Sequence, residues 1–219
     1  ADGGRYVNTS AAVAHAERLL AEGAALVDIG GESSRPGADP VSAAEEVDRV
    51  VPVIERLAPS GAVISIDTSK PVVMRAAVAA GATFINDIRG LRDPEALAAA
   101  CGLPAAISIM HMQGEPATMQ RHPSYRDVVS EVRDFLSNRA QACLAAGAAA
   151  ERIVLDPGFG FGKDIYHNLQ LLRDLPQIVA LGFPVLVGLS RKSMLGQLTG
   201  RAVDERLAGS VALATVSVL

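Results

Sequence analysis

The 219-residue sequence contains no uninterrupted apolar run long enough to cross a bilayer. Its longest apolar stretch, Leu207 to Leu219, is broken by Gly209, Ser210, Thr215 and Ser217 and reads as a buried helix. Basic charge is not in surplus either. Twenty Lys and Arg against 24 Asp and Glu leave a formal net charge of −4 with no basic cluster, which removes the electrostatic reason to expect nucleic acid. A small ligand is expected instead. Cysteine is scarce: Cys101 and Cys143 stand far apart in alanine-rich, helix-like segments without metal-type spacing. They read as buried thiols and fit a reducing cytoplasm. Among the histidines, His15 lies in a helix pattern, His122 and His167 occupy surface loop or helix positions, and only His111 ends a strand. None has zinc spacing. No secretory leader is visible, although the opening Ala-Asp-Gly-Gly reads as the middle of a loop.

What is present is a chain 49% hydrophobic and 20% charged, enough for one sizeable core in a single domain. A repeated unit runs along it. A helix pattern from Thr9 to Glu22 stops at Gly23, and Ala25 to Ile29 follows as a strand. Ser42-Ala43-Ala44-Glu45 has the capping-box pattern and opens a helix to Leu57. Val63 to Asp67 is the next strand, Pro71 opens a helix that ends at Gly81, and Thr83 to Asn86 returns to the sheet. Asp93-Pro94 starts a short helix, Ala105 to Met110 is a strand, and a polar loop from His111 to Pro123 precedes a helix from Ser124 to Ala146. Ile153 to Asp156 is a fifth strand, with a glycine-rich turn and a helix near Tyr166 behind it. Pro184 to Gly188 is a sixth, and a last helix begins near Asp204.

Strands alternating with helices, and apolar runs that point to burial on both faces, indicate a parallel sheet covered by helices. An open doubly wound sheet and a closed (β/α)8 TIM barrel both satisfy this. Polar residues at the strand ends separate them, because in a barrel every strand tip converges on one mouth. Here each strand ends in polar chemistry: Glu32 with Ser33, Ser34 and Arg35; Asp67 with Thr68 and Lys70; Asn86 with Asp87; His111; Asp156; and Ser190 with Arg191 and Lys192. The barrel is therefore favoured, with six of its eight strands visible.

Two familiar motifs fail. The run Gly158 to Lys163 lacks the first glycine of a phosphate loop, because Pro157 stands there, and Asp164 replaces the magnesium-binding hydroxyl. Gly188-Leu189-Ser190-Arg191-Lys192 lacks the second glycine of a nucleophile elbow. What remains suits a flat amino-oxo heterocycle. Asp67 and Asp156 can accept paired N–H donors, Asn86 can donate and accept, and Lys192 can donate to a carbonyl or ring nitrogen. Bland alternatives stand beside these roles. Asp156 could serve a structural salt bridge, Asp67 and Lys192 could pair with each other, Arg35 could be a solvated loop charge, and Phe161 could simply pack its loop.

Asp28 to Ala38, Ile66 to Lys70, Ile85-Asn86-Asp87, Met110 to Gly114, Asp156 to Lys163 and Ser190-Arg191-Lys192 together resemble the dihydropteroate synthase family of pterin-binding TIM barrels, in order and spacing across the whole chain. The resemblance implies condensation of 6-hydroxymethyl-7,8-dihydropterin pyrophosphate with 4-aminobenzoate, giving 7,8-dihydropteroate and pyrophosphate for folate synthesis, on a sulfonamide target. It assigns the pterin to Asp67, Asn86, Asp156 and Lys192, with Ile88, Met110 and Gly188 lining the slot, and makes Asp67, Asp156 and Lys192 the catalytic groups. Ser34, Arg35, Pro36, Phe161 and Ser190 would shape the 4-aminobenzoate site. It also implies Mg2+ on the substrate pyrophosphate, a cytoplasmic location and a homodimer.

The family's first strand, with a magnesium-holding asparagine, and its last, with a pyrophosphate-binding arginine and histidine, have no counterpart here. Residues 1–219 therefore read as one barrel domain trimmed at both ends, with no metal ligand of its own. Weak or absent turnover is expected from these residues alone. A non-catalytic pterin-binding paralogue is the alternative, and a pterin-dependent methyltransferase domain a more distant one.

Overall fold

A computed structural model describes residues 8–33 and 38–218. Its centre is a parallel sheet of five strands in sequential order: β1 (Leu26–Gly30), β2 (Val63–Asp67), β3 (Phe84–Asp87), β4 (Ala106–Met110) and β5 (Ile153–Asp156). The helices are α1 (Thr9–Ala21), α2 (Ala43–Leu57), α3 (Pro71–Ala80), α4 (Pro94–Gly102), α5 (Val128–Ala145), α6 (Ile165–Arg173), α7 (Pro176–Val179), α8 (Ser193–Thr199) and α9 (Leu207–Val216). None of the described helices is long and apolar enough to cross a membrane.

Local chemistry sets most boundaries. Asn8 caps α1 by accepting from the Ala11 amide, and Gly81 ends α3 in a left-handed conformation with φ of 119°. Asp93 caps α4 through the Glu95 and Ala96 amides, with Pro94 in the first turn as its sequence position requires. At α2 the expected capping box is half formed. Ser42 accepts from the Glu45 amide, but the Glu45 carboxylate is drawn to Arg49 one turn on, where it meets a full charge.

Strand register divides the sheet into two chemically distinct faces. Gly30, Asp67, Asn86, Ser108 and Val154 are paired in one row; Asp28 with Ser65, and Met110 with Asp156, belong to the same face. The opposite face carries Val27, Ile64, Ile66, Ile85, Ile107, Ile109, Ile153 and Leu155, all buried beneath the helices. The helix-covered face is therefore predominantly apolar, whereas the other mixes Met110 and Val154 with carboxylates, hydroxyls and an amide.

Three sequence expectations change. The sixth strand is reduced to a single bridge: the Leu155 amide donates to Pro184 O and the Leu186 amide to Leu155 O, and no described strand lies on the segment's far side to extend the ladder. The helix expected from Ser124 starts at Val128. Asp127 accepts from the Val129 and Ser130 amides, while the Ser124 amide is held by the Gln113 side chain and so serves the loop. The last helix starts at Leu207, after a short 3-10 turn, and is not buried. It meets α8 through Gly209, whose Cα lies against Leu195, and Ser210 accepts from the Arg191 amide just before α8, whereas Leu207 is 73% exposed and Val211 57%.

Candidate active site

The site lies at the carboxyl ends of the strands, on the polar face. Asn86 donates to Asp28 at 3.4 Å, and Ser65 hydrogen-bonds the same carboxyl group from the neighbouring strand. Asn86 Oδ1 and Ser108 Oγ are buried with no hydrogen-bond partner. Two orphaned polar atoms in adjacent strands are costly unless something else satisfies them, so they mark where a hydrogen-bonding ligand belongs. Burial, reinforced by the charges of Asp28, Asp87 and Glu46, pushes the Asp67 carboxyl well above the usual range. Burial raises Asp28 as well. A cationic or N–H-rich ligand would relieve both.

On the same face, two residues beyond Val154, Asp156 is 8% exposed and accepts from the Gly158 amide at 2.7 Å. Burial raises its carboxyl to about 6, opposed by that amide and by the positive charges of Lys192 and Lys163. The loop behind it is shaped by close backbone contact. Gly158 has φ of 67°, and a Cβ there would meet His111 O at 1.9 Å; at Gly162, with φ of 63°, it would meet Gln113 O at 2.5 Å. Only glycine fits either place. The loop is also bonded throughout: the Gly160 amide to Asn168 Oδ1 at 2.8 Å, Gly160 O from Gln120, and Gly162 O from the Tyr125 hydroxyl at 2.8 Å. It presents Phe161 to Lys192, whose ammonium lies 4.4 Å from the ring centroid, a cation–π contact. Burial lowers the Lys192 pKa, against the pull of Asp156.

The structure brings together most of the expected pterin residues. Asp67 and Asn86 are register neighbours, as are Met110 and Asp156. Met110 clusters with Met112 and Met119, and Ile88 and Phe161 pack against them, forming the apolar wall expected of a slot. Gly188 is exposed, and a Cβ there would meet nothing within 4 Å. Ser190 is exposed beside it. Ser34, Arg35 and Pro36 lie outside the described residues.

The bland pairing of Asp67 with Lys192 does not occur. Lys192 faces Asp156 and Phe161, and the charges acting on Asp67 from the described side chains are acids. Asp87 and Glu32, also strand-end groups, are engaged elsewhere. Asp87 points to the helix side, where Ser69 and the Arg89 and Leu91 amides bond it; it shapes the turn and holds Leu91 at φ of 53°. Glu32 pairs with Lys70 at the rim.

Sequence reading passed over Asp28, Ser65 and Ser108 as site lining, and Lys163 as a structural cation. The repeated triplets Ile64-Ser65-Ile66 and Ile107-Ser108-Ile109 carried the signal, since a hydroxyl alternating with isoleucines points to the opposite face. Lys163 left no such trace. Its importance depends on His111, which is 52 residues away in sequence, reaching its ammonium.

A family model described as pterin binding enzyme matches residues 1–219. The chain belongs to the pterin-binding enzyme family. Within that family it is 49% identical to the dihydropteroate synthase of Haemophilus influenzae over 218 residues, 99% of this chain and 79% of that protein. A Yersinia pestis dihydropteroate synthase solved with a sulfonamide drug superposes with a TM-score of 0.96 at 48% identity, covering all of this chain and 80% of that one. A Burkholderia cenocepacia dihydropteroate synthase complexed with 7,8-dihydropteroate matches with a TM-score of 0.89 at 52% identity, over 96% of this chain and 78% of that one. The expected barrel-type α/β fold of the pterin-binding family is the one found.

Proposed function

We propose that the polar face of the sheet binds a dihydropterin and performs the dihydropteroate synthase reaction, joining 6-hydroxymethyl-7,8-dihydropterin pyrophosphate to 4-aminobenzoate. The carrying observation is the row in which Asp67 and Asn86 stand beside the unpartnered Ser108 hydroxyl, with Asp156 on the same face two residues beyond the row's last member, Val154. A pterin ring edge supplies N–H donors for carboxylates and for the free Asn86 oxygen, and its oxo group suits Lys192. The methionine cluster offers the ring an apolar wall.

In the reaction the bond between the pterin methylene and the pyrophosphate oxygen breaks, and its electron pair leaves with pyrophosphate. Positive charge develops on the pterin. Asp67 and Asp156 are fixed before that happens, by strand register and, for Asp156, by the Gly158 amide, so they stabilise the charge without reorganising. The 4-aminobenzoate nitrogen forms the new bond to the methylene and gives up a proton. Phe161, with Ser190 and the segment containing Ser34, Arg35 and Pro36, would receive its ring.

Mg2+ is read as a companion of the substrate pyrophosphate, whose charge it would neutralise. Among the described residues no three His, Cys, Asp or Glu side chains are grouped to hold a metal, so no step is assigned to it. A homodimer through the C-terminal helices is supported by the exposed Leu207, Val211 and Val216 on α9. A cytoplasmic location is supported by two buried free thiols, Cys101 and Cys143.

Pyrophosphate release in the protein as naturally expressed tests the reading. Release should require both substrates and vanish in Asp156→Asn. A protein that binds the pterin but releases nothing is a binding paralogue, and transfer of a methyl group from a methyl-pterin would indicate the methyltransferase reading. Assaying residues 1–219 alone tests the expectation of weak turnover.

A further inference from the structure

Lys163 is 2% exposed, yet its ammonium contacts no carboxylate directly. Its Nζ lies 2.9 Å from His111 Nδ1, 2.9 Å from Gly158 O and 3.1 Å from Phe161 O, with His111 O further off at 3.4 Å. An ammonium has three protons, and the three short contacts use all of them. Gly158 is thereby held at both polar atoms, its amide by Asp156 and its carbonyl by Lys163.

We propose that Lys163 is a positioning residue for this reaction: caged by Gly158 O, Phe161 O and the His111 imidazole, its ammonium locks the glycine-rich loop so that Phe161 stays against Lys192 and Asp156 stays aimed into the pterin site. The proposal rests on the reading of the site given above.

A buried ammonium is a poor way to gain stability, since an apolar side chain of similar length avoids its desolvation cost. Its presence needs another reason. Carbonyl dipoles and a neutral imidazole hold the cation without cancelling it, so its charge still acts on Asp156. Burial and the nearby Lys163 charge drive the His111 pKa down to about 2, so the ring is neutral, and an ammonium donating to Nδ1 requires the ring proton on Nε2. Phe135 packs edge-on against that ring at 5.0 Å between centroids, and Tyr125, 6.1 Å away, carries the hydroxyl that holds Gly162 O. The cage thus joins the end of β4 to the loop after β5. Asp156 and Lys192 are the other charges that face Lys163, and Arg92 acts on His111.

The test is Lys163→Met in the protein as naturally expressed. Freed of its tether, the loop should lower kcat/KM about 100-fold. The KM for 4-aminobenzoate should rise through Phe161. The acid limb of the pH profile should move upward, because Asp156 loses a cation that favours its ionised form. A merely structural lysine would lower the melting temperature and leave KM and the acid limb where they were, and that result overturns the proposal. Should the variant not fold, nitrogen NMR of His111 in a His15→Gln, His122→Gln, His167→Gln background decides instead. A neutral imidazole with its proton on Nε2 at pH 5 to 6, where Lys163 carries its full charge, supports the cage; a ring that titrates between pH 5 and 9, or that carries its proton on Nδ1 at pH 5 to 6, refutes it. If the unmodified protein releases no pyrophosphate, the functional reading has failed, while the NMR result still judges the cage.

Discussion

Lys70 and Lys163 each tie a loop to the mouth of the same sheet, and their surroundings are opposite. Lys70, at the rim near β1 and β2, bonds the Glu32 and Glu46 carboxylates and Val41 O. Partial burial works against its charge, but the two glutamates carry its pKa above the ordinary value. Lys163, deep behind β5, bonds carbonyls and an imidazole, and burial lowers its pKa to about 7 although Asp156 pulls the other way. The rim therefore matches its cation with opposite charge and keeps it protonated, whereas the interior holds its cation with dipoles alone and releases the proton as the pH rises through about 7. A tether that must also favour an ionised Asp156 is built from dipoles, whereas a tether that only has to hold Glu32 beside Val41 is built from opposite charges.

The comparison can be sharpened by experiment. The largest effect is expected from Asp156→Asn, which keeps the shape and removes the charge; kcat/KM should fall about 1,000-fold with little change in melting temperature. Lys70→Met should behave in the reverse way. It strands Glu46, which is 1% exposed, and unfolding measurements should show a loss of about 3 kcal/mol while the acid limb of the activity profile stays in place. Movement of that limb in Lys70→Met would erase the distinction between the two halves. Gly158→Ala comes next, at about 2 kcal/mol of stability, because it combines a left-handed backbone with a clash against His111 O.

The effect of pH is smaller per unit. With its carboxyl raised to about 6, Asp156 takes up a proton as the pH falls through that value, so kcat/KM should drop about tenfold per unit below it. The sign for stability is the opposite. A raised carboxyl binds its proton more tightly in the folded state, so on this group's account acidification from pH 6 towards 4 favours folding. Circular dichroism through that range should show a folded protein where activity is already falling. Least change is expected from Gly188→Ala, within about 0.5 kcal/mol of unfolding free energy, since the added methyl meets open space. A rise in the KM for the pterin without a change in stability would identify that space as ligand volume.

Legibility in the sequence followed the range of the interaction. Strand and helix positions were readable wherever a cap, proline or glycine acts within a few residues, as at Asp93-Pro94 or Gly81. Asp67, Asn86 and Asp156 were readable as strand-end polar groups, and the register confirms that they share a face. Asp87 stands at a strand end too, yet it serves the turn, because odd and even positions of a strand point to opposite faces. The exposed α9 misled for a related reason: thirteen mostly apolar residues look buried whether a partner surface is present or not. What could not be read were contacts joining distant segments, Lys163 with His111 above all.

Strand alternation has a consequence for how this molecule tolerates change. Along Val63–Asp67, Ile64 and Ile66 support the helix layer while Ser65 and Asp67 lie on the polar face. Neighbouring codons thus write to different ledgers of fitness, one read as abundance and the next as chemistry. A saturation library scored for both traits would show a two-residue beat along each strand. Shifting one strand by a single residue would invert that beat and spoil both traits together.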